Sequence, residues 1–195
     1  MNPAFTIEYA RGLSTIAAAT YHDVVDVLRH ELPEVWLDRY HRMCDGETNV
    51  LTMTVHGFEY LFDFCSDVGA GDREDRVVVA FGVSRAPEKP RAASRMKGFP
   101  SGIARGDRGH LIAHGSGGGV DINLVHQDAR LNRGWSPGGK RYREMERHTA
   151  AHPGTFFFSR LIYDDPTARP AAFEVGILRP DRTMWVEVFE NATDE

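Results

Sequence analysis

The sequence predicts an α+β fold built on an antiparallel sheet. Helical patterns occupy the start of the chain, strand patterns lie before and after a central stretch of loops with one helix, and short turns join the last three strands. Of the 195 residues, 42% are hydrophobic and 26% are charged, which is typical of a globular domain and not of a disordered, coiled-coil or collagen-like chain. No apolar run approaches the ~20 residues of a membrane span, so no membrane partner is expected.

The helices are predicted from the spacing of apolar residues. Over residues 12–30 these residues recur on one face, and Ser14 or Thr15 is expected to cap the start. A second, shorter helix is predicted over residues 34–43, before the turn at 45–46. The sequence therefore predicts two separate helices in this region.

The strands are predicted where β-branched and aromatic residues cluster. Residues 49–65 are expected to form a strand that turns at His56-Gly57, and residues 76–83 a buried strand. Three further antiparallel strands are predicted over 155–163, 171–178 and 184–189, joined by turns at Asp165-Pro166 and Pro180-Asp181.

The centre of the chain is predicted to be mostly loop. Residues 67–75 form a polar loop, residues 84–106 are rich in Pro, Gly and basic side chains, and residues 115–119 are a glycine loop. One helix is predicted over residues 140–151, before Pro153-Gly154.

The charge is distributed unevenly. The whole chain has a net charge of −5, but residues 83–148 hold 13 Lys or Arg against 6 Asp or Glu, a balance of +7. Residues 1–82 have a balance of −8 and residues 149–195 one of −4. This basic middle is a candidate polyanion-binding stretch, and the alternative is a solvated loop region.

Four motifs follow one another in the basic middle: Asp107-Arg108-Gly109-His110, then Asn123-Leu124-Val125-His126-Gln127, then Leu131-Asn132-Arg133-Gly134, then Glu146 on the next helix. In this order they resemble the DNA/RNA non-specific endonuclease family of ββα-metal (His-Me finger) nucleases, and Arg169-Pro170 resembles its bacterial toxin-type branch. The resemblance covers roughly residues 78–180. The chain departs from the family pattern at His126, where the family usually has Pro, and at residues 136–139, which look like an insertion before the helix.

The resemblance implies a fold, a reaction and a cofactor. The fold would be an antiparallel sheet with a central ββα-metal finger, whose loops and single helix carry the site. The reaction would be hydrolysis of phosphodiester bonds in DNA and RNA with little sequence specificity, with Mg²⁺ as cofactor and Mn²⁺ as a substitute. Residues 1–75 would be an acidic N-terminal region of unknown role and residues 76–195 the nuclease domain, unless both belong to one continuous fold.

The same residues suit this chemistry when considered by themselves. A neutral imidazole accepts a proton near neutral pH, so His110 is the candidate general base. The carbonyl oxygen of Asn132, which matches the family's metal ligand, is a suitable donor for Mg²⁺, a hard cation that keeps most of its waters. Glu146 would orient those waters. The alternatives are a surface or core histidine, a turn asparagine and a solvated helix glutamate.

Several residues are candidates for binding the phosphodiester. Arg108 is expected to support phosphate or the geometry of the site, and Arg91 or Arg95 to supply a cation in the transition state; the sequence does not choose between those two. The remaining substrate-binding candidates are Asn123, Gln127, Arg133, Lys140 and Arg141. Asn123 and Gln127 are alternatively residues that shape the loops, and the basic helix face is alternatively a solvated surface.

Three functional hypotheses follow. The first is the metal-dependent nuclease, a possible toxin or effector with an inhibitor protein as partner. The second is a decayed nuclease fold with a binding or regulatory function, and the third is a zinc protein using His110, His114 and His126. Because the N-terminus has no long apolar segment, the expected location is the cytoplasm, or outside the cell through a specialised export route. Cys44 and Cys65 are then expected to be reduced.

Overall fold

The computed structural model describes residues 7–9, 20–44, 46–69, 71–88 and 106–191. The helices are α1 (Tyr21–Met43), α2 (Ala129–Asn132) and α3 (Pro137–Ala151). The strands are β1 (Val50–Val55), β2 (Phe58–Asp63), β3 (Arg76–Val83), β4 (Asp107–His110), β5 (Leu124–Gln127), β6 (Phe156–Ile162), β7 (Ala172–Leu178) and β8 (Met184–Glu190). Short 3-10 turns at Cys65–Val68, His114–Ser116 and Asp121–Asn123 interrupt the connecting loops.

Six of the strands form one sheet in the order β1-β2-β3-β6-β7-β8, with every neighbouring pair antiparallel. The other two, β4 and β5, form a separate antiparallel pair that precedes α2 and α3. The predicted α+β class with an antiparallel sheet is therefore confirmed. The six-stranded sheet contains strands from both sides of residue 75, and the division of the chain at that residue stays a prediction.

The β1–β2 hairpin confirms the predicted turn. Val55 pairs with Phe58, so only His56 and Gly57 form the connection. Both have positive φ, 49° and 70°, as the two central residues of a type I′ turn require.

Helix α1 corrects the prediction of two helices. It runs without a break from Tyr21 to Met43 and contains Pro33. Thr20 caps its start through a reciprocal capping box with Asp23, whereas Ser14 and Thr15 lie outside the described residues. The helix continues past the proline because one buried stripe, Leu28, Leu32, Trp36 and Tyr40, repeats every four residues on both sides of it. Burial of that stripe outweighs the lost backbone hydrogen bond.

The sheet separates two layers. On one face, Trp36 of α1 packs against Phe81 and Phe158, with ring centroids 5.2 and 5.0 Å apart. On the other face, Tyr142 of α3 packs edge-on against Phe173 and Phe189 at 6.4 and 5.3 Å. Side chains alternate between the faces of a strand, so the consecutive phenylalanines of β6 serve both layers.

The ββα segment is the part of the chain between β3 and β6 that carries β4, β5, α2 and α3, and it leaves the sheet and returns to it at one point. The chain departs after β3 and re-enters at β6, its neighbour, where Val83 pairs with Phe156. Ser84 joins the two ends: its backbone nitrogen donates to Thr155 O at 2.8 Å, its hydroxyl donates to His152 O at 3.0 Å, and its carbonyl accepts from Gly154 N at 2.7 Å. Within the described part of this segment, Tyr142 packs α3 against one face of the sheet.

A buried ion pair lies on the α1 side of the sheet. Arg160 and Glu174 pair across β6 and β7, each 2% exposed, with Nε 2.6 Å from Oε2. Tyr9 donates its hydroxyl to the same carboxylate oxygen at 2.5 Å, and Trp36 donates to that hydroxyl at 3.0 Å. The pair thus connects the sheet, α1 and residues 7–9.

None of the helices in the described ranges has the length and apolar character needed to cross a membrane.

The Arg160–Glu174 pair gives a stability prediction. Glu174→Gln removes the carboxylate charge paired with the buried Arg160, so we expect the free energy of unfolding to fall by about 3–5 kcal/mol. The control is Asp38→Asn in the exposed Arg42–Asp38 pair, where side chains are 67% and 53% exposed; it should cost less than about 1 kcal/mol. Urea unfolding measures both, and equal losses would contradict the assignment.

Candidate active site

The site residues predicted from sequence lie on the ββα segment. Strand β4 carries Asp107 to His110 and pairs with β5 so that Asp107 lies opposite Gln127 and His110 opposite Leu124. Helix α2 ends at Asn132, and α3 carries Glu146. Each motif therefore occupies a defined element of one compact unit.

Gly109 is required by the packing of this hairpin. A Cβ atom at Gly109 would overlap the side-chain amide of Gln127, which is 2% exposed and lies across the strand pair. The side chain of Gln127 thus occupies the space above Gly109, and the motif between Arg108 and His110 tolerates no larger residue.

The carboxylate of Asp107 accepts hydrogen bonds from polar side chains at the C-terminal end of α2. It accepts hydrogen bonds from Asn132 Nδ2 at 2.9 Å, from Arg133 Nε at 2.7 Å and from Arg133 Nη2 at 2.5 Å. The Arg133 guanidinium, and after it the Asn132 amide, hold the pKa of Asp107 below its usual value against the opposing effect of burial. Asp107 is therefore ionised at neutral pH.

This carboxylate also fixes the orientation of Asn132. An ionised carboxylate only accepts hydrogen bonds, so the amide nitrogen must face Asp107 and the carbonyl oxygen must face away. Among the described residues none donates a hydrogen bond to that oxygen. The side chain of Asn132 consequently presents one preoriented neutral oxygen donor.

Arg143 links Asn132 to Glu146. Its Nη1 donates to Asn132 O at 3.3 Å, and its Nε lies 3.5 Å from Glu146 Oε2. Sequence reasoning missed this bridge. Of the two contacts, only that between Arg143 and Glu146 has a sequence signal, since residues three apart on a helix are neighbours on its surface.

Tyr142 is a second residue of the site that sequence reasoning missed. It is 3% exposed, and its hydroxyl donates to His110 O at 3.2 Å, which fastens α3 to the end of β4. Burial raises the pKa of Tyr142 well above its usual value, so the phenol keeps its proton and remains a donor. The backbone of His110 is thereby held, while its imidazole is half-buried.

The stretch 136–139 belongs to α3. Ser136 is the N-cap, accepting a hydrogen bond from Gly139 N at 2.9 Å, and Pro137 starts the first turn. The helix therefore begins three residues before the predicted start at 140, and these residues are its first turn and cap. Gly139 lies so close to the backbone oxygen of Arg130 that a Cβ would overlap it, which brings α2 and Asn132 against α3.

The structure connects some of the predicted residues and not others. Asn132, Arg133 and Glu146 form one chain of polar contacts through Asp107 and Arg143. His110 lies three residues after Asp107, about 10 Å further along β4 at the usual rise of a strand. The predicted metal ligand and the predicted base are thus attached to opposite ends of one short strand.

Asn123 braces the loop that follows β4. It is 1% exposed; its Oδ1 accepts from Ile112 N, and its Nδ2 donates to Ile112 O and Gly119 O, all within 2.9 Å. These bonds agree with the alternative interpretation of Asn123 as a residue that shapes the loop. The substrate contact predicted for Asn123, like that for Gln127, remains a prediction.

The basic candidates differ in their surroundings. Lys140 is exposed on α3. Arg141 bonds Glu144 at 2.8 Å and Glu187 at 3.0 Å, and its guanidinium lies 4.6 Å from the centre of the Trp185 ring. Arg108 is half-buried on β4, and Arg91 and Arg95 lie outside the described residues.

The zinc hypothesis finds no support in this arrangement. Over the described ranges, which include His110, His114 and His126, no three His, Cys, Asp or Glu side chains are grouped so that they could hold a metal ion. Burial and then the nearby Arg169 lower the pKa of His126. The magnesium prediction rests on the oxygen of Asn132, a hard donor.

Gly109 gives a second stability prediction. Gly109→Ala forces Gln127 out of its place, and we expect a loss of about 1–3 kcal/mol in the free energy of unfolding. Gly138→Ala is the matched control, because its Cβ would lie 3.9 Å from the Phe189 ring, an ordinary contact, in the first turn of α3. It should be neutral or stabilising. Thermal unfolding compares the two, and a stable Gly109→Ala protein would contradict the packing argument.

Comparison with known proteins does not assign a family. No family model matches the chain, and no curated protein matches it. Among solved structures the chain is similar to an "extracellular endonuclease", with a TM-score of 0.43 and 15% identity over 75% of this chain and 80% of that one. A likeness at this level carries no argument about function.

Proposed function

We propose that this protein is a metal-dependent endonuclease that hydrolyses phosphodiester bonds of DNA and RNA with little sequence specificity. The observation that carries the proposal is the hydrogen bond from Asn132 to the ionised Asp107, which turns the amide oxygen of Asn132 outward. A fixed neutral oxygen close to arginine side chains is suited to a cation and a phosphate together.

The residues fit Mg²⁺, with Mn²⁺ as a substitute. An ion held through one protein oxygen keeps most of its waters, which suits Mg²⁺ better than an ion that needs a cage of protein ligands. Bound there, the metal would stabilise the negative charge that develops on the phosphate. Asp107 orients Asn132, and Arg143 lies beside Glu146, whose carboxylate would accept hydrogen bonds from the waters of a bound ion.

His110 is the proposed general base. It takes the proton of the attacking water, and the hydrogen bond from Tyr142 keeps its backbone in place while it does so. Arg108 on the same strand, together with Arg91 or Arg95, supplies positive charge for the phosphate. Arg133, Lys140 and Arg141 would bind further along the backbone, and contacts of this kind carry no sequence information.

The biological setting is part of the proposal. A non-specific nuclease attacks the nucleic acids of the cell that makes it, so we propose a toxin or effector that is exported by a specialised route or held by an inhibitor protein. This step is based on the resemblance to the toxin-type branch and on no contact in the structure.

Metal dependence is the first functional prediction. Cleavage of plasmid DNA and of RNA should require Mg²⁺ or Mn²⁺ and stop in chelator. Asn132→Ala should lower the rate on the order of 10²–10³-fold, and Asp107→Ala, which releases both Asn132 and Arg133, about 10–100-fold. Asp38→Ala, on the exposed surface of α1, is the control and should retain full activity. Undiminished cleavage in chelator would refute the metal site.

The second functional prediction separates chemistry from binding. His110→Ala should lower cleavage by about 10²–10⁴-fold and leave nucleic-acid affinity nearly intact. The wild-type rate should fall toward acid pH, because a protonated imidazole accepts no proton. Nicking assays across pH, with gel shifts in chelator, measure both effects. His41→Ala on α1 is the matched control, and wild-type cleavage by His110→Ala would leave a decayed-fold binding protein as the better description.

A further inference from the structure

One tryptophan is exposed beside the candidate site. Trp36 is fully buried and Trp185 is 9% exposed, but Trp135 is 64% exposed, and it is the single aromatic among the exposed large hydrophobic residues of the described ranges. Exposure of one apolar side chain is ordinary in itself. What distinguishes Trp135 is the rigidity, the charge and the position of its surroundings.

The backbone of Trp135 is held at both ends. Its nitrogen donates to Arg130 O at 2.8 Å, Gly134 before it has a φ of 74°, and Ser136 after it caps α3. The turn between α2 and α3 therefore fixes where the indole projects. A ring presented from a braced turn loses little backbone freedom when a ligand stacks on it.

A cation connects the indole to the candidate site. The guanidinium carbon of Arg133 lies 4.8 Å from the centre of the Trp135 ring. Arg133 also bonds Asp107, the residue that orients Asn132. Trp135 is thus linked to Asn132, the proposed metal ligand, by three successive contacts through Arg133 and Asp107.

The sequence around Trp135 is basic. Residues 129–143 contain five Lys or Arg and no Asp or Glu. The side chains of Arg130 and Arg143 are each 51% exposed and lie 3.9 and 3.5 Å from the carboxylates of Asp128 and Glu146, and Lys140 is exposed as well. An aromatic surface within a basic stretch is the combination by which proteins bind single-stranded nucleic acid.

We propose that Trp135 and Arg133 form a stacking platform for an unpaired nucleobase next to the bond that is cut. This rests on the proposed function and narrows its substrate class to single-stranded or locally unpaired DNA and RNA. In a duplex the base faces are covered by neighbouring bases, so a base must be unpaired to reach the ring. Since every base has such a face, the platform is tolerant of sequence.

The test compares two strands of equal charge. Binding of a short oligothymidylate and of an abasic strand of the same length is measured in chelator, so that nothing is cut. For the wild type we expect the oligothymidylate to bind more tightly and to quench the fluorescence of Trp135. Trp135→Ala should weaken oligothymidylate binding about 5- to 100-fold and change abasic binding by less than about twofold. Trp135→Phe, which keeps an aromatic face, should retain most of the affinity.

Two controls make the result decisive. Leu51→Ala removes an exposed apolar side chain on β1 and should change neither affinity. Thermal unfolding confirms that each variant is folded. Equal oligothymidylate affinity of Trp135→Ala and wild type would overturn the platform and would indicate that the exposed ring serves another partner, such as a protein.

The platform and the nuclease can fail separately. If the wild type cuts RNA and plasmid with Mg²⁺ but Trp135→Ala binds oligothymidylate normally, the platform is wrong and the proposed function stands. If stacking depends on Trp135 but no cleavage occurs with any metal, the nuclease is wrong and the platform identifies a single-strand binding site.

Discussion

The pairing of β3 with β6 is the constraint on which the rest of the molecule depends. Because these two strands are neighbours, the 72 residues between Val83 and Phe156 must start and end at nearly the same place. The backbone and side chain of Ser84 close this point. In the described part of this segment, α3 buries Tyr142 and Met145 in the core together with the Phe-rich strands. The positions of β4, α2 and α3, and so of every candidate site residue described, follow from that closure.

The negative charge of Asp107 holds the polar side chains of the ββα segment in place. Asp107 is at the first residue of β4 and faces the end of α2, so its carboxylate meets an amide and a guanidinium together. Without it Arg133 would lose its partner and Asn132 could rotate by half a turn. Arg143 and Tyr142 then attach α3 to the end of α2 and to β4 respectively. The site is therefore held by a few directional bonds placed on a well-packed apolar base.

The sequence predicted what local patterns determine. The buried runs of β3, β6 and β7 and the turn at His56-Gly57 were visible because strand propensity and turn chemistry act over a few residues. The break at Pro33 was predicted wrongly, since contacts with the sheet and not local propensity carry α1 through it. The contacts of Arg143 with Asn132 and of Tyr142 with His110 join residues 11 and 32 positions apart. No local pattern contains such pairs, and β4 and β5, at four residues each, are too short for a strand pattern to emerge.

The hydrogen bonds of Ser84, which join the two ends of the ββα segment, also matter for protein engineering. A segment whose two ends meet side by side on adjacent antiparallel strands can replace a hairpin loop without altering the register of the sheet below it. The described part of the segment, with the candidate site, could in this sense be transferred to another sheet. A recipient sheet would need a pair of neighbouring strands and an aromatic face wide enough to receive Tyr142, whereas α1 packs on the opposite face.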